Sequence, residues 1–405
     1  MKGFFNKEQT KSKSRPNGKS YSCASCGLYK SISSPRMKPF GNFKKGILNL
    51  GEAPGETDDI KGKQWQGKVG RKLQRIYEQL GFDLFEDCLN INSINCRPTN
   101  KKGNNRELSP YEIACCRSRV LQVIEDKKPK VILVFGKAAV SSLLGHRWKK
   151  DLGGINKWRG WTIPDRDLNA WICPVWHPSF VASSEGIETE TIWKQDLKQA
   201  LSMVDIPFPK YQDEKNQVEI IDNLKLLNAS SDLIAFDYET TGLKPHAPEH
   251  RIVCASVAYN EDHAQVFMMP KTKSGRVPFI DLLRRNDIRK MAHNIKFEET
   301  WSSVRLRQPV NNWFWDSMLA AHILDNRPGT TGLKFQTYVN FGVVDYDSKI
   351  SSYLRGVDSK NGNSHNQILE LIKSEEERKK LLIYCGLDSL YEFKLAMKQM
   401  EIMKV

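Results

Sequence analysis

The sequence contains no run of about 18 consecutive apolar residues, the length needed to span a bilayer. Its first residues, MKGFFNKEQTKSKS, are charged and polar where a secretory signal peptide needs an apolar segment. Its nine cysteines are odd in number and, without a secretory signal, do not indicate a disulfide framework. These features exclude a membrane-spanning protein and a disulfide scaffold, and they predict a cytoplasmic protein without a membrane partner.

Acidic residues are almost absent from the N-terminal end. The first 50 residues hold eleven Lys and Arg but a single acid, Glu8, and the whole chain carries a formal net charge of +15. Positive charge concentrated at one end indicates binding to a polyanion such as nucleic acid. Residues 1–20 are therefore predicted to be a flexible basic arm, with a solvated tail that binds nothing as the alternative.

The length of 405 residues predicts two domains. From residue 21 to 205, short apolar strands alternate with helical stretches, which is typical of a parallel-sheet α/β sandwich. A polar, proline-containing stretch at 206–216 predicts a linker. In 217–405, three strands follow in quick succession and helical segments then run to the end, which predicts a second α/β or α+β domain.

Two carboxylates, Asp237 and Glu239, stand two positions apart at the end of the apolar strand LIAFDYET. Side chains alternate along a strand, so both carboxylates lie on one face, where hard oxygen ligands suit Mg²⁺ or Mn²⁺. A solvated strand edge is the alternative. Two later segments favour the metal site, because HNIKFEETW contributes Glu298 and YCGLDSLYEF places Tyr384 and Asp388 four apart on one helix face.

These segments, in this order, resemble the motifs of the tyrosine-bearing, polymerase I-type exonucleases of the DnaQ-like superfamily. The resemblance implies an RNase H-like fold and 3′–5′ phosphodiester hydrolysis with two metal ions. It implies three carboxylate ligands and one water-orienting hydroxyl: Asp237, Glu239, Asp388 and Tyr384. Glu298 takes the place of a further ligand that is normally Asp, and Glu299 is the alternative for that ligand. In FWDSMLAAHILD, Asp316 matches the acid of another helix of the family.

Several cysteines of the N-terminal half form a second candidate site. Cys23 and Cys26 make a Cys-x-x-Cys pair in SCASCGLY, and Cys96 and Cys116 supply two further thiols. Four thiolates suit either Zn²⁺ or an iron–sulfur cluster, and their spacing does not distinguish the two. A turn with buried thiols is a third interpretation. Two more cysteines compete for the assignment: Cys88 and Cys115.

The motifs GEAPGETDD, GKQWQGKVGRKL, NSINCRPTN, SPYEIACC and HPS resemble, in order, the signature of the iron–sulfur, family-four uracil-DNA glycosylases. The resemblance implies a structural 4Fe–4S cluster on the four cysteines, with Zn²⁺ as the alternative. It also implies a pocket for a flipped uracil, in which Trp65 stacks on the base, Asn92 reads its edge and His177 donates to the leaving base.

The loop GEAPGETDD supplies the other implied pocket residues, which are Glu52, Gly55 and Asp58. Its backbone amides are predicted to hold the base or a phosphate. Asp58 is one methylene shorter than the acid of the family, and Asn95 replaces the basic residue that usually precedes Cys-Arg-Pro. The two interpretations of this domain are uracil excision and DNA binding without catalysis.

The order of the two domains resembles the N-terminal part of DNA polymerases of large tailed bacteriophages, which implies a proofreading role in the host cytoplasm. The sequence stops at Val405 without polymerase motifs, so the expected polymerase is a separate polypeptide or a continuation of this one. The predicted partners are single-stranded 3′ ends, uracil-containing DNA and a polymerase. The rival hypothesis is a non-catalytic replisome adaptor.

Four aromatic residues near the predicted metal site either stack on the bases of a single strand or, as we favour for most of them, form core: Phe297, Trp301, Trp313 and Trp315.

Overall fold

The computed structural model describes residues 21–30, 32–148, 150–184, 186–211, 215–344, 346–358 and 363–405. The predicted basic arm, residues 1–20, lies outside these residues. The chain divides into two compact units, one ending at Pro209 and the other beginning at Lys210, a division inside the stretch predicted as a linker. Within the described residues, no helix has both the length and the apolarity that crossing a bilayer requires.

The N-terminal unit is built on one sheet, whose strands are β1 (Ile47–Gly51), β2 (Cys88–Asn92), β3 (Val131–Phe135), β4 (Ile163–Asp165) and β5 (Ala170–Val175). Their order is β2-β1-β3-β5-β4. The first four strands of this order are parallel, and β4 pairs with β5 in the antiparallel sense. Every residue of the five strands is buried, as expected for a parallel sheet that is covered on both faces.

Helices cover both faces of this sheet: α1 (Cys23–Cys26), α2 (Glu56–Lys61), α3 (Lys68–Gln79), α4 (Pro110–Lys127), α5 (Gly136–Arg147), α6 (Ile155–Trp158), α7 (Pro178–Ser183) and α8 (Ile187–Ser202). On one face, Tyr77 of α3 and Trp193 of α8 share a core with the strands. On the other face, α4 packs on α5, which packs on β1 and β3. The predicted α/β sandwich is confirmed.

The C-terminal unit has a mixed sheet of β6 (Gln217–Ile220), β7 (Leu233–Thr240), β8 (Ile252–Ala258), β9 (His263–Met268), β10 (Arg289–Ala292) and β11 (Trp313–Asp316). The order is β11-β10-β7-β8-β9-β6. Strands β7 to β9 form an antiparallel meander, and β10 and β11 continue the sheet in parallel on the other side of β7. A central strand with a meander on one side and parallel strands on the other is the RNase H-like arrangement, so the predicted fold is confirmed.

The prediction that only helices follow the meander was wrong, because β10 and β11 lie there. Each of these strands has four residues, too few to show a clear alternation of apolar and polar side chains. The helices of this unit are α9 (Lys273–Arg284), α10 (Ile295–Trp301), α11 (Ser317–Leu324), α12 (Leu333–Phe341), α13 (Ile368–Leu371) and α14 (Glu375–Met403).

Strand β7 separates two cores, and this separation positions the acidic residues. Tyr238 shares a core with residues of α9 and α10. Ala235, on the opposite face, packs with Leu390 of α14. Because side chains alternate along a strand, Asp237 and Glu239 point to the same side as Ala235, toward α14.

Candidate active sites

A group of three carboxylates lies where β7 meets α14. Asp237, Glu239 and Asp388 each offer one oxygen, and these oxygens lie within 4.8 Å of one another. Burial, together with the neighbouring carboxylate charge, raises the pKa of Asp237 and of Glu239 well above the usual range. Hard oxygen ligands held this close fit Mg²⁺ or Mn²⁺, because a cation offsets negative charge that burial makes costly.

Asp388 is held by two residues that the sequence analysis did not identify. Tyr346 Oη donates a hydrogen bond of 2.7 Å to Asp388 Oδ1. Lys334 Nζ donates to the same carboxylate oxygen and, at 2.9 Å, to Tyr346 Oη. The Lys334 ammonium also lies over the rings of Tyr346 and Tyr384, at 4.1 and 4.4 Å from their centroids. These contacts fix the carboxylate and bring one positive charge to the site.

Tyr384 lies one turn before Asp388 on α14, on the same helix face. Its side chain is buried, and burial with the charges of Asp388 and Glu239 raises the pKa of its phenol well above 10. The phenol therefore keeps its proton at neutral pH and is a hydrogen-bond donor.

Glu298, rather than Glu299, faces the carboxylates. Glu298 is only 2% exposed, and its Oε2 has no hydrogen-bond partner among the described residues. Burial and the nearby charge of Asp237 raise its pKa well above the usual range. In contrast, Glu299 Oε2 accepts hydrogen bonds from the Val310 backbone N–H at 3.0 Å and from Trp313 Nε1 at 2.9 Å. Glu299 thus braces α10, and the alternative that it is a ligand is not supported.

Asp316 has a structural position outside the carboxylate group. It is the N-cap of α11, where its Oδ1 accepts hydrogen bonds from the backbone of Met318 and Leu319. Its two oxygens also accept from the backbone N–H groups of Asn294 and Ile295, at 3.1 and 3.0 Å. Asp316 therefore ties the end of β11 to the turn that starts α10, and so fixes the direction of Glu298.

A cleft of about 530 Å³ opens beside α10. Its walls combine apolar and basic side chains from α10 and the loop after β7: Leu243, Lys244, His246, Lys296 and Phe297. Two of the four aromatic candidates, Phe297 and Trp301, line this cleft, and Phe297 is half-buried there. Trp301 has no exposed surface, Trp313 stacks on Phe236 with ring centroids 5.3 Å apart, and Trp315 Nε1 bonds to Gln399. Trp301 is therefore core, and Trp313 and Trp315 are half-buried side chains that pack against the core.

The predicted uracil-pocket residues meet at the carboxyl ends of β1 and β2. A Cβ atom on Gly51 would lie 2.4 Å from Asn92 Oδ1 and 3.1 Å from the ring of Trp65, so this position requires glycine. The Trp65 ring centroid is 5.6 Å from that of His177. Asn95 Oδ1 accepts a hydrogen bond of 3.4 Å from the Asn92 backbone N–H. The structure therefore places the stacking, edge-reading and donor candidates side by side.

His177 is held as a neutral ring with a defined donor. Its Nδ1 accepts a hydrogen bond of 3.2 Å from the Ser179 backbone N–H, which leaves the ring proton on Nε2. Burial lowers the pKa of His177 from 6.5 to about 4, although the charge of Asp58 opposes this shift. At neutral pH, the His177 ring is therefore uncharged and its Nε2–H is a hydrogen-bond donor.

The GEAPG loop is braced by its own acids. Glu52 Oε1 accepts a hydrogen bond of 3.0 Å from the Ala138 backbone N–H at the start of α5, and burial raises the pKa of Glu52. Asp58 accepts from the backbone N–H of Gly55 at 3.1 Å and of Gln66 at 2.7 Å. The prediction that the Gly55 amide holds base or phosphate is therefore not supported, because that N–H already bonds to Asp58. The shorter acid instead joins this loop to the segment that carries Trp65.

The four predicted cluster thiols come together around the ends of α1 and α4. Burial raises the pKa of Cys116 to about 11, and the nearby charges of Cys96, Cys26 and Cys23 add to this increase. The Arg36 backbone N–H donates to Cys96 Sγ at 3.3 Å, an interaction that also suits a ligand thiolate. Thiolates are the ligands that soft metal centres prefer.

The two competing cysteines differ in position. Cys88 lies on β2 inside the core that contains Tyr77, so it is not available as a ligand. Cys115 is buried on α4 beside Tyr111, and the charges of Cys26 and Cys23 contribute to its raised pKa. Cys115 therefore remains an alternative to Cys116.

Two solved structures share part of the fold of this chain. Brucella melitensis NrnC with bound Mg²⁺ is 19% identical, with a TM-score of 0.33 over 46% of this chain and 81% of NrnC. Escherichia coli RNase D, an exoribonuclease involved in structured RNA processing, is 15% identical, with a TM-score of 0.34 over 46% of this chain and 45% of RNase D.

The N-terminal unit has relatives in sequence. The family model of the uracil DNA glycosylase superfamily matches residues 38–198. The type-4 uracil-DNA glycosylase of Saccharolobus solfataricus is 31% identical over 39% of this chain and 71% of that protein. The type-4 enzyme of Thermotoga maritima is 30% identical over 45% of this chain and 89% of that protein. Through its N-terminal unit, the chain therefore belongs to the uracil DNA glycosylase superfamily, with type-4 uracil-DNA glycosylases as its relatives.

Proposed function

We propose that the C-terminal unit is a metal-dependent 3′–5′ DNA exonuclease. The observation that carries this proposal is the carboxylate triad of Asp237, Glu239 and Asp388, brought together by β7 and α14. Divalent cations bound there would supply a nucleophilic water and offset charge on the scissile phosphate. Glu298 is the fourth carboxylate facing this site.

The side chains around the triad have separate tasks in this proposal. Tyr384 keeps its phenol proton and orients the attacking water through a hydrogen bond. Tyr346 and Lys334 hold Asp388, so that its orientation is set before the substrate arrives. Phe297, on the wall of the cleft, offers a ring on which the terminal base of a single strand stacks.

The test is the degradation of a 5′-labelled single-stranded oligonucleotide with Mg²⁺. Wild type is expected to shorten the strand from its 3′ end, and Asp237→Ala is expected to leave it intact. Asp232→Ala is the matched control, because its side chain is 83% exposed at the start of the same strand region. Equal degradation by wild type and Asp237→Ala, or intact DNA with both, would overturn the proposal and favour the adaptor hypothesis.

We propose, second, that the N-terminal unit excises uracil from DNA. The observation that favours catalysis over simple binding is the His177 ring, whose Nδ1 accepts from the Ser179 backbone N–H and whose centroid lies 5.6 Å from that of Trp65. A donor of this kind stabilises the negative charge that develops on the leaving base. Trp65 would stack on the flipped base, and the Asn92 amide would bond to its edge.

Excision is tested by incubating the chain with single- and double-stranded DNA that contains one uracil and by scoring abasic sites. His177→Ala should lose about 10²–10³-fold in rate, the usual loss when one such donor is removed. The control is His146→Ala, since His146 is exposed on α5. If His177→Ala forms abasic sites at the wild-type rate, the assignment of His177 is contradicted. If the wild type forms no abasic sites, the proposal of excision fails and DNA binding without catalysis is favoured.

The four thiols are proposed to hold a structural 4Fe–4S cluster. A single Zn²⁺ with Zn–S distances of about 2.3 Å draws its sulfurs to within about 4 Å of one another. No three of the predicted thiols form a group within 4.8 Å, so the proposal of a cluster rests on the resemblance to the iron–sulfur, family-four glycosylases. Bound there, the cluster would join α1 to α4 and the segment after β2.

A DNA polymerase is the proposed partner of the exonuclease, which would then trim mispaired 3′ ends. This step rests on the likeness of the domain order to phage polymerases. Running the oligonucleotide assay on a mispaired primer–template, with and without a candidate polymerase, tests it. Proofreading predicts faster removal of a mispaired than a paired 3′ nucleotide, and equal rates in all four conditions would argue against it.

A further inference from the structure

Trp65, the predicted stacking residue of the uracil pocket, has no open ring face. Its side chain is 7% exposed, and Asn92, the predicted edge reader, is 4% exposed. The Trp65 ring lies against the ring of His177, with centroids 5.6 Å apart and planes at 32° to each other. It also contacts the ring of Phe135, at 5.5 Å between centroids. A base covers a whole ring face when it stacks, so Trp65 must move before it can stack on one.

The Trp65 ring also fills the space beside Gly51. A Cβ atom on Gly51 would lie 2.4 Å from Asn92 Oδ1 and 3.1 Å from the ring of Trp65. The indole therefore touches the surroundings of both other pocket residues, Asn92 and His177. It occupies part of the region into which a base must come if Asn92 is to read its edge and His177 is to donate to it.

The backbone of Trp65 is strained. Its φ of 61° lies in the left-handed region, which a bulky side chain rarely adopts. The next residue is held by a hydrogen bond of 2.7 Å from the Gln66 backbone N–H to Asp58 Oδ1. On the other side, a Cβ atom on Gly70 of α3 would lie 2.0 Å from the Trp65 carbonyl oxygen, so this close packing requires glycine. The surrounding structure therefore holds Trp65 in a conformation that is unfavourable for the residue itself.

The indole N–H of Trp65 has no hydrogen-bond partner among the described residues. Two fully buried tryptophans of the same unit do have partners. Trp158 Nε1 donates to the Leu152 carbonyl at 2.6 Å, and Trp193 Nε1 donates to the Trp176 carbonyl at 3.0 Å. A buried donor without an acceptor is costly. The observed position of the Trp65 ring thus combines apolar packing with two unfavourable features, the strained φ and the unpaired donor.

Trp65 lies in a short segment with a glycine at each end. The segment joins α2 to α3, with Gly62 as the C-cap of α2 and Gly67 as the N-cap of α3. Residues at the ends of elements, often small ones, absorb the backbone rotations of a hinge. The segment can therefore turn the Trp65 ring away from the pocket while the two helices keep their places.

We propose that Trp65 is a gate of the uracil pocket: its ring closes the pocket against small ligands and turns away when a nucleotide of a bound DNA strand enters. The contacts of a strand with the protein supply free energy for opening that free uracil lacks, so the gate favours bases that arrive on DNA. The strain and the unpaired donor keep the closed position from being too stable to open. This inference rests on the proposed uracil excision and adds a residue that determines its substrate class.

The test is the affinity of the full chain for free uracil, measured by equilibrium dialysis with labelled uracil. Trp65→Phe has a smaller ring and no N–H. It should bind free uracil about tenfold more tightly than wild type, the gain expected when the open fraction rises from about one tenth to nearly all.

Trp171→Phe is the matched control and should bind uracil like wild type. Trp171 is 8% exposed and lies near the start of β5, at the opposite end of the strand from His177. Equal or weaker binding by Trp65→Phe, or no binding by either wild type or Trp65→Phe, would overturn the inference.

Wild type alone provides a second readout, which does not depend on the folding of a variant. Free uracil is mixed with wild type, and binding is followed by tryptophan fluorescence. The observed rate should level off as the uracil concentration rises, because opening is a step that uracil does not accelerate. A rate that rises in proportion to the uracil concentration throughout would mean that no opening step precedes binding, and it would also overturn the inference.

The gate and the excision activity can fail separately. If wild type forms abasic sites and Trp65→Phe has no higher affinity for uracil, excision stands and the gate is overturned. If Trp65→Phe binds uracil more tightly and forms abasic sites while wild type forms none, the gate stands and excision by the wild type fails.

Discussion

Tyr346 and Asp388, 42 positions apart in the sequence, are joined by a hydrogen bond of 2.7 Å from the phenol Oη to the carboxylate Oδ1. Lys334 donates to the same oxygen. Because both donors use Oδ1, the other oxygen of Asp388 can face the remaining carboxylates. The loop after α12 thus controls the orientation of a carboxylate on α14.

Replacing Tyr346 by Phe removes this donor and keeps the ring. We expect the affinity for Mn²⁺ to fall about 10–100-fold, the usual loss when a hydrogen bond to a ligand is removed. Nuclease activity should recover at high Mn²⁺ concentration, because the ligands themselves remain. The measurement is activity against Mn²⁺ concentration, with Tyr353→Phe from the same loop as the control. An unchanged half-saturating concentration in Tyr346→Phe would show that Lys334 alone orients Asp388.

Two adjacent glutamates allow a matched pair of substitutions. Glu298→Gln should abolish most nuclease activity without lowering the unfolding temperature, because it removes a charge whose Oε2 has no described partner. Glu299→Gln should keep the nuclease activity and lower the unfolding temperature. It leaves the site intact but weakens the bonds from Val310 and Trp313, at a cost of about 1–3 kcal/mol in the free energy of unfolding.

Activity assays and thermal unfolding of both variants decide between these outcomes. Loss of activity in Glu299→Gln with an unchanged unfolding temperature would reverse the assignment of the two residues.

The sequence predicted the carboxylates and the tyrosine of this site, but not the residues that hold Asp388 in place. Asp237 and Glu239 follow from the alternation of a strand, and Tyr384 and Asp388 from helix spacing, because both signals are local. Tyr346 and Lys334 could not be predicted in this way, because their contacts with Asp388 depend on how the chain between α12 and α14 folds back.

The N-terminal unit shows the same division between local and long-range information. The motif order located Asn92, Trp65 and His177. The hydrogen bond from the Gly55 N–H to Asp58 could not be predicted from the sequence. A glycine-rich loop has the same sequence pattern whether its amides bond to an acid of the loop or remain open to an anion.

The low pKa of His177 gives the proposed glycosylase a characteristic pH profile. Between 6.5, its ordinary value, and about 4, the unfolded chain protonates this ring and the folded chain does not. The stability contributed by the neutral ring is thus complete above 6.5 and is lost as the pH falls toward 4.

At pH 5.5 only about 3% of His177 rings should be protonated, compared with about 90% for an ordinary histidine. Single-turnover uracil release should therefore stay nearly constant from pH 7.5 down to 5.5. Circular dichroism at each pH verifies that the chain is folded. A rate that falls with an apparent pKa near 6.5 would mean that the ring is open to solvent and not held neutral.

The last prediction concerns which thiols hold the proposed cluster. Cys116→Ser should reduce the iron bound per chain and the visible absorbance, because Cys116 lies among Cys96, Cys26 and Cys23. Cys88→Ser should keep the iron and lower the unfolding temperature instead, since it places a hydroxyl in the core around Tyr77. Cys115→Ser resolves the remaining alternative. If Cys115→Ser loses iron and Cys116→Ser keeps it, the fourth ligand is Cys115 and not Cys116. If all variants purified without oxygen contain zinc and no iron, the cluster is excluded.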